Sequence, residues 1–413
     1  MSKNLLKWLL PGMKVKRWGL TSLLGVFIVG LGATFIAQPY ALVATFGIVI
    51  VICGIILVVL GIGKMIVSLI TLFLPERERD LVNILYQRRY LERGPKIVAL
   101  GGGHGLSNLL LALKEYTSNI TAIVTVADSG GSSGRLREEF NIVAPGDIRN
   151  CLVALADAPA LMGELFQFRF SEKSQLKGHN FGNLFLTAMF QLTGGDFEKA
   201  VKESSKVLAI RGKVIPATVS NVHLVAEYDD GTHMIGEAKI PKANAHIRKL
   251  YLEPKDSKPT AEALESIAAA EIIILGPGSL YTSVIPNLII NGMADAVAKS
   301  SAFKIYVCNV MTQRGESDGY TASDHLKAIL DHTNEKVVDA CLINNAIAPK
   351  EMLGRYEAEQ SYPVKADRDK IKAMGYRVVE EDLLSVKDYV RHDSPKLTAA
   401  LIRLIERNRI IKR

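Results

Sequence analysis

Two long apolar segments occupy the first 74 residues of the 413-residue chain. From Leu20 to Gly63 there is no charged residue, and the apolar run is interrupted only at Ala37 to Tyr40. A helix needs about 20 apolar residues to cross a bilayer. We therefore predict a membrane hairpin over residues 1–74, with helices at about 20–36 and 41–63. A cleavable signal peptide is disfavoured, since the apolar segment is double and no cleavage pattern leads into a polar start.

From residue 95 onward, short β-branched runs alternate with helical patterns. The predicted strands are "KIVALGG", "ITAIVTVAD", "AEIIILGPGS", "KIYVCNV" and "VDACLINN". Such alternation is typical of βαβ units and a parallel sheet. We predict that residues 95–413 form a doubly wound, mostly parallel, Rossmann-like α/β domain. Between Lys213 and Ile240, two extended runs flank an Asp-Gly turn signal, which predicts a small antiparallel insertion.

Charge is distributed unevenly between these parts. Residues 1–100 contain 12 Lys and Arg against 4 Asp and Glu, whereas the remaining 313 residues contain 38 of each class. The basic excess therefore flanks the apolar segments and does not indicate a nucleic-acid partner. Because positive charge favours the cytoplasmic side, both termini and the soluble domain are predicted to lie in the cytoplasm, with the hairpin in the inner membrane.

Residues 75–94 join the two parts and mix charges with apolar residues at helical spacing. This juxtamembrane segment is predicted to be a linker helix. It either lies along the membrane surface or is a solvated helix, and the sequence favours neither strongly.

The stretch "VALGGGHGLSNLL" at 98–110 predicts a strand that breaks at glycine and continues as a helix from Ser107. It lacks the third glycine of a dinucleotide fingerprint and the lysine of a Walker loop. Its glycines still allow close approach of a ligand, and a helix start favours an anion. A tight turn without a ligand explains this loop alone equally well.

Three further polar loops follow predicted strands, and ligands of open α/β sheets bind at the carboxyl ends of strands. Four such loops together favour a phosphorylated ligand, bound by backbone N–H groups, serine hydroxyls and Arg135. The candidate ligand-binding residues in the loops are Gly102, Gly103, His104, Gly105, Asp128, Ser129, Gly130, Ser132, Ser133, Arg135, Gly276, Pro277, Gly278, Ser279 and Asn309.

Two segments between the strands add further candidates, namely Asp147, Asn150, His179, Asn180 and Asn183. Asp147 equally fits a helix cap, and a histidine in a Gly-His-Asn turn is often only a structural hydrogen-bonding residue. No spacing of His, Asp and Glu resembles a zinc site. No cofactor is firmly implied; the metal that the loops allow is Mg²⁺ shared with a phosphate, with Asp128 as its candidate ligand. The four cysteines are interpreted as reduced core residues.

Five ordered motifs together resemble the YvcK branch of the YvcK/CofD-like family, whose members are called gluconeogenesis factors. These motifs are "GGGHGLSNLL", "ITAIVTVADSGGSSGRLR", "PGDIRNCLVALAD", "GHNFGNLFL" and "GPGSLYTSVIPNL". The resemblance extends from about Lys96 to about residue 400. It implies that the loop at Gly102–Gly105 meets a diphosphate, that Asp128 and Ser129 lie at the nucleotide or metal, and that His179, Asn180, Asn183 and Gly276–Ser279 line the remaining pocket.

The chain departs from the family pattern in two places. His104 stands where threonine is more common, so that an imidazole replaces a hydroxyl near the phosphate. The hairpin is absent from shorter members, which favours action at the membrane, where envelope precursors are assembled.

The resemblance implies a membrane-tethered binding protein for a nucleotide sugar, similar to UDP-N-acetylglucosamine, that regulates cell shape, envelope growth and carbon metabolism. The alternative is a magnesium-dependent enzyme resembling the 2-phospho-L-lactate transferases. Asp128 is followed by serine rather than by a second acid, which favours the binding protein over the enzyme. Self-association and a protein partner in envelope synthesis remain open.

Overall fold

A computed structural model describes residues 15–73, 90–157, 160–171, 173–243, 245–333, 335–385 and 390–411. The chain divides into two compact units, residues 1–89 and 90–413. Most of the predicted linker helix, residues 75–89, lies outside the described residues.

The first unit contains two helices joined by a short turn, α1 (Val15–Ile36) and α2 (Ala41–Phe73). Within them, Arg17–Ile36 and Ala41–Ser68 are long and apolar enough to cross a membrane. Both helices contain the spans predicted from hydropathy. α2 continues ten residues beyond Gly63, because Lys64 is followed by a further apolar run without a helix breaker.

Glycines bring the backbones of α1 and α2 into direct contact. A Cβ on Gly25 would lie 2.8 Å from the carbonyl oxygen of Gly54, and a Cβ on Gly32 would lie 2.9 Å from that of Gly47. Small residues at such positions allow the close van der Waals packing that associates helices in lipid. Cys53 is exposed on this hairpin, so the prediction that all four cysteines lie in a core was wrong for this one.

Substitution of Gly54 by isoleucine should separate the two helices, since its side chain would meet the backbone and side chain of Val29. The readout is cross-linking, by a short bifunctional thiol reagent, of cysteines that replace Trp18 and Lys64, whose side chains lie against each other, in a Cys53→Ser background. We expect efficient cross-linking in the parent protein and little after Gly54→Ile. Gly30→Ile is the matched control, because a Cβ there meets nothing within 4 Å. Equal cross-linking in both variants would contradict this packing.

The second unit is built on a seven-stranded parallel sheet. Its order is β10-β9-β8-β7-β1-β2-β3, which is the 3-2-1-4-5-6 order of a dinucleotide-binding fold with one strand added. Because right-handed crossovers run in opposite directions from β1 and β7, the connecting helices cover opposite faces. The strands are β1 (Ile97–Gly101), β2 (Ile120–Val124), β3 (Lys213–Pro216), β7 (Ile272–Leu275), β8 (Phe303–Val307), β9 (Ala340–Asn344) and β10 (Arg377–Glu381).

All five predicted strands are present, and those at the centre are apolar and fully buried because both faces are covered. The two edge strands, β3 and β10, were missed because they are short or only half-buried. The remaining helices are α3 (Gly103–Leu113), α4 (Gly131–Phe140), α5 (Gly146–Leu155), α6 (Ala160–Gln167), α7 (Phe181–Leu192), α8 (Phe197–Val207), α9 (Ala261–Ala268), α10 (Ile285–Leu288), α11 (Met293–Lys299), α12 (Ala322–His332), α13 (Lys350–Ala358), α14 (Arg368–Ala373) and α15 (Ser394–Ile411).

The antiparallel insertion is a separate three-stranded sheet of β4 (His223–Tyr228), β5 (His233–Ile235) and β6 (Ile247–Glu253). The predicted Asp-Gly hairpin joins β4 and β5, with Gly231 at φ +80°. The predicted bounds of 213–240 were wrong, since Lys213–Pro216 belongs to the main sheet and β6 extends the insertion to Glu253. A two-stranded ribbon, β11 (Leu384–Ser385) and β12 (Arg391–His392), precedes α15.

Candidate functional site

The loops after β1 and β7 meet at the point where the strand order reverses. A Cβ on Gly105 would lie 2.7 Å from the carbonyl oxygen of Pro277, and a Cβ on Gly278 would lie 3.3 Å from that of Gly102. The backbones of the two loops are therefore in contact, and side chains larger than hydrogen would push them apart. Open α/β sheets bind ligands at this switch point.

Helix α3 begins at Gly103 rather than at the predicted Ser107. Glycine made the start difficult to place, because Gly103 adopts a left-handed φ of +64° and has low helix propensity. The N-cap residue, Gly102, has no side chain to cap the helix. The first-turn N–H groups thus face the cleft, and the predicted diphosphate contacts at Gly102–Gly105 stay predictions on suitable geometry. His104 is exposed beside them.

The loop after β7 is held in place by a hydrogen bond from the loop after β8. Gly276 has a φ of +84°, and the peptide bond to Pro277 is cis. The hydroxyl of Ser279 accepts a hydrogen bond of 2.8 Å from Gln313 Nε2, and Asn309 Nδ2 donates to Gln313 Oε1 at 3.5 Å. Gln313 therefore joins the two predicted site residues Ser279 and Asn309.

The loop after β2 leads into α4, whose N-cap is Gly130. The Asp128 carboxylate accepts the Gly130 N–H at 2.8 Å, and the Ser129 hydroxyl accepts the Ala238 N–H at 3.2 Å. The hydrogen bond from Ala238 to Ser129 connects the antiparallel insertion to the loop after β2. Arg135 is exposed and donates to the carbonyl of Lys177.

Three carboxyl groups meet at the end of β2, and we call the space that they border the carboxylate cleft. Asp128 is hydrogen-bonded to Glu237, a residue of the insertion that sequence reasoning missed, and the charges of Asp128 and Asp147 both act on Glu237. Burial, together with the charges of Asp128 and Asp147, raises the pKa of Glu237 to about 8. Without a cation, Glu237 is therefore protonated at neutral pH.

Asp147 does not cap its own helix, so that alternative is wrong. The N-cap of α5 is Pro145, and no side chain caps it. The Asp147 carboxylate instead accepts the Gly103 N–H, and a Cβ on Gly102 would lie 2.5 Å from its Oδ2. Burial raises the pKa of Asp147 to about 6, although the Gly103 N–H acts in the opposite direction.

The oxygen donors of the carboxylate cleft fit Mg²⁺ only in part. In the described residues, no group of three or more His, Cys, Asp and Glu side chains is close enough to hold a metal ion. Carboxylate oxygens are the ligands that Mg²⁺ prefers, and protein sites commonly leave the rest of its shell to water and phosphate. The residues therefore fit a magnesium ion shared with a bound phosphate.

A buried network of polar side chains supports the cleft from behind. Arg149, missed as a site residue, donates to Asn183 Oδ1 at 3.0 Å and to Asn150 Oδ1 at 2.6 Å. Asn180 caps α7 through the Asn183 N–H. The other members, Ser132, Ser133 and His179, contact the same helix start: Ser132 Oγ is 3.2 Å from His179 Nδ1, and Asn183 Nδ2 donates to Ser133 Oγ.

These residues tie α4, α5 and α7 together, which accounts for their polarity without a ligand. Their predicted ligand contacts stay predictions. Burial and then the nearby Arg135 lower the pKa of His179.

Glu316 is a second buried acid that sequence reasoning missed. Its side chain is 6% exposed, it accepts from Thr282 Oγ1 at 3.3 Å, and its Oε2 has no hydrogen-bond partner among the described residues. Burial raises its pKa to about 7, opposed by Thr282 and by the Tyr281 N–H.

Glu316→Gln should stabilise the protein at pH 8. Because the folded-state pKa of about 7 exceeds the ordinary value of 4.5 for a glutamate, the folded protein holds the proton more tightly. Stability is lost as pH rises from about 4.5 through 7, by on the order of 3 kcal/mol from this group. Thermal melts from pH 5 to 8 should show a shallower decline for Glu316→Gln. Identical slopes in both proteins would contradict the buried acid.

Known proteins match this chain in both sequence and structure. The family model described as 2-phospho-L-lactate transferase CofD matches residues 97–384. A gluconeogenesis-factor homologue from Nostoc sp. is 46% identical, over 96% of this chain and 92% of that protein. The gluconeogenesis factor of Bacillus subtilis is 48% identical, over 76% of this chain and 98% of its own length. The relatives thus differ in how much of this chain they match.

A solved structure of a UPF0052 family member from Bacillus halodurans is 48% identical in sequence. It superposes with a TM-score of 0.72 over 75% of this chain and 99% of its own. The α/β architecture described above is therefore that of this family.

Proposed function

This chain belongs to the CofD/YvcK family, and from that membership and the geometry of the cleft we propose that it is a membrane-tethered nucleotide-sugar-binding regulator. Its ligand resembles UDP-N-acetylglucosamine. The relatives named gluconeogenesis factors support a regulatory function.

The observation that carries the proposal is the contact between the two glycine loops at the switch point. Beyond the Gly103 N–H, which Asp147 accepts, the first turn of α3 supplies N–H groups and the positive end of a helix dipole, which favour a diphosphate. Gly103 and Gly276, both at positive φ, keep this surface free of side chains.

The chemistry of the nearby thiols supports binding rather than covalent catalysis. Cys308 and Cys341 follow or lie in central strands and are buried. Burial raises the pKa of Cys341 to about 12 and that of Cys308 further, so both remain thiols. A thiol is a much weaker nucleophile than a thiolate.

The hairpin supports a location at the membrane. We propose that α1 and α2 cross the inner membrane and that the α/β domain lies in the cytoplasm, following the basic residues that flank the spans. There the domain reports the supply of envelope precursors and couples envelope growth, and hence cell shape, to carbon metabolism.

One observation favours a second candidate, a magnesium-dependent transferase. The second acid that the β2 loop lacks in sequence is provided in space by Asp147 and Glu237. Asp128 and Glu237, which are hydrogen-bonded to each other, would hold Mg²⁺ together with the phosphate, and the ion would neutralise charge on the transferred group. The chain itself would align an acceptor hydroxyl with the activated phosphate, and this positioning would supply most of the rate.

Calorimetric titration of the full chain in detergent micelles separates the two candidates. UDP-N-acetylglucosamine, UDP, GDP and GTP are titrated with and without Mg²⁺, and each mixture is then examined for products. We expect binding of the UDP-sugar, which is recovered unchanged. Magnesium-dependent preference for a guanine nucleotide would replace the regulator by the transferase, and no binding of any nucleotide would overturn both.

A further inference from the structure

A second cleft lies beside the carboxylate cleft, between α4 and the antiparallel insertion. It encloses about 660 Å³ and is lined by Gly130, Gly131, Arg137, Ala238, Lys239 and Lys242, among others. Glu237 does not line it and is bonded instead to Asp128 in the carboxylate cleft. Ser129, whose hydroxyl accepts the Ala238 N–H, also lines the second cleft, so the two spaces adjoin at the loop after β2.

The back of this second cleft is formed by a buried guanidinium group. Arg137 is 3% exposed, donates from Nε to Asn221 Oδ1 and from Nη2 to the carbonyl of Val222. Its Nη1 atom has no hydrogen-bond partner among the described residues. A buried donor without a partner costs free energy, and a charged one costs more, so this atom indicates an anion that the second cleft is built to hold.

The rest of the lining has the same polarity. Helix α4 is ten residues long, and its N-cap, Gly130, has no side chain to cap it. Lys239 and Lys242 lie on the opposite wall, and the acid in the lining is Glu138. Three cationic side chains and a helix N-terminus therefore outweigh one carboxylate, in contrast to the three carboxyl groups of the carboxylate cleft.

We propose that the second cleft is a binding site for a small phosphomonoester, separate from the nucleotide-sugar site. The positive charge of Arg137 attracts the phosphate, the first turn of α4 lines the cleft, and Lys239 and Lys242 close over the ligand from the insertion. A phosphate ester fits because it is a compact dianion that accepts several charge-assisted hydrogen bonds. A ligand here contacts the same Gly236–Ala238 segment that carries Glu237, so its binding bears on the carboxylate cleft.

The test uses the full chain in detergent micelles, with inorganic phosphate and glucose 6-phosphate as probes in calorimetric titrations. Lys239→Ala/Lys242→Ala removes two exposed side chains and should leave the fold intact. Lys202→Ala/Lys206→Ala, on α8, makes the same change in charge elsewhere. We expect glucose 6-phosphate to bind, with affinity reduced about tenfold or more in the first pair and unchanged in the second. Arg137→Met should abolish binding.

Gly103→Val distinguishes this site from the nucleotide-sugar site. If the second cleft binds the ester independently, glucose 6-phosphate affinity is retained in Gly103→Val whether or not that protein binds a UDP-sugar. Loss of ester binding in Gly103→Val would place the ester in the main site and overturn the proposal. Equal losses in the two lysine pairs, or no binding of either probe by the parent protein, would overturn it as well.

Discussion

Gly103→Val should lower the affinity for a UDP-sugar more than about a hundredfold, the largest effect expected of any single substitution in the cleft. Among the described residues outside α3, the heavy atom within 4 Å of the Cβ position is Ser283 Oγ, at 3.8 Å. The valine methyl groups would therefore fill open space in front of the loop, where we propose that the diphosphate binds. Calorimetric titration measures the loss.

The same substitution strains the backbone, because Gly103 has a φ of +64°. A β-branched residue in this region costs about 1–3 kcal/mol. Gly375→Val is the matched control, since Gly375 has a φ of +92° and nothing within 4 Å of its Cβ position. Both variants should melt at lower temperature, but only Gly103→Val should lose the ligand. Undiminished affinity in a folded Gly103→Val protein would reject the phosphate site.

Arg149→Met should lower the free energy of unfolding by about 3 kcal/mol, the largest effect expected on stability. Arg149 is 5% exposed and donates to Asn183 and Asn150, whose oxygens would be left buried with fewer partners. Its charge also favours the ionised form of Asp147. Urea titration followed by circular dichroism measures the change, with an unaltered m-value if the transition stays cooperative.

Arg169→Met is the control for removal of a guanidinium group. Arg169 is exposed and donates to the carbonyl of Gly178 at 3.3 Å, so its loss should change stability by less than about 1 kcal/mol. Comparable destabilisation by both variants would show that the buried network does not carry the stability assigned to it.

Much of the architecture could be predicted because its signals are local. An uncharged apolar run long enough to span a bilayer identifies α1 and α2 without any information about the rest of the fold. The central strands β1 and β7 are buried on both faces and hence continuously apolar, whereas the equally buried β8 contains Lys304. The edges were harder, since β10 is only half-buried and β3 has four residues that resemble the start of the insertion.

The candidate site was predicted only in part, for a related reason. Glycines at strand ends are visible in the sequence, and parallel strands bring their carboxyl ends to one edge, so the loops at Gly102–Gly105 and Gly276–Ser279 could be grouped in advance. The helix start at Gly103 could not be predicted, since a glycine in the left-handed region carries no helical signal of its own.

By itself, the sequence determined the apolar hairpin, the parallel α/β domain and the glycine loops, because burial patterns and backbone freedom are properties of residues near one another in the chain. Only the tertiary structure decided which carboxyl groups share a cleft. Glu237 is 109 residues from Asp128, yet it reaches that side chain because the Ala238 N–H is fixed to Ser129 Oγ. It also decided that Arg149 organises the buried asparagines and that Arg137 faces a second cleft. Electrostatic and hydrogen-bond partners are set by distance in space, and in this chain the partners come from segments far apart in sequence.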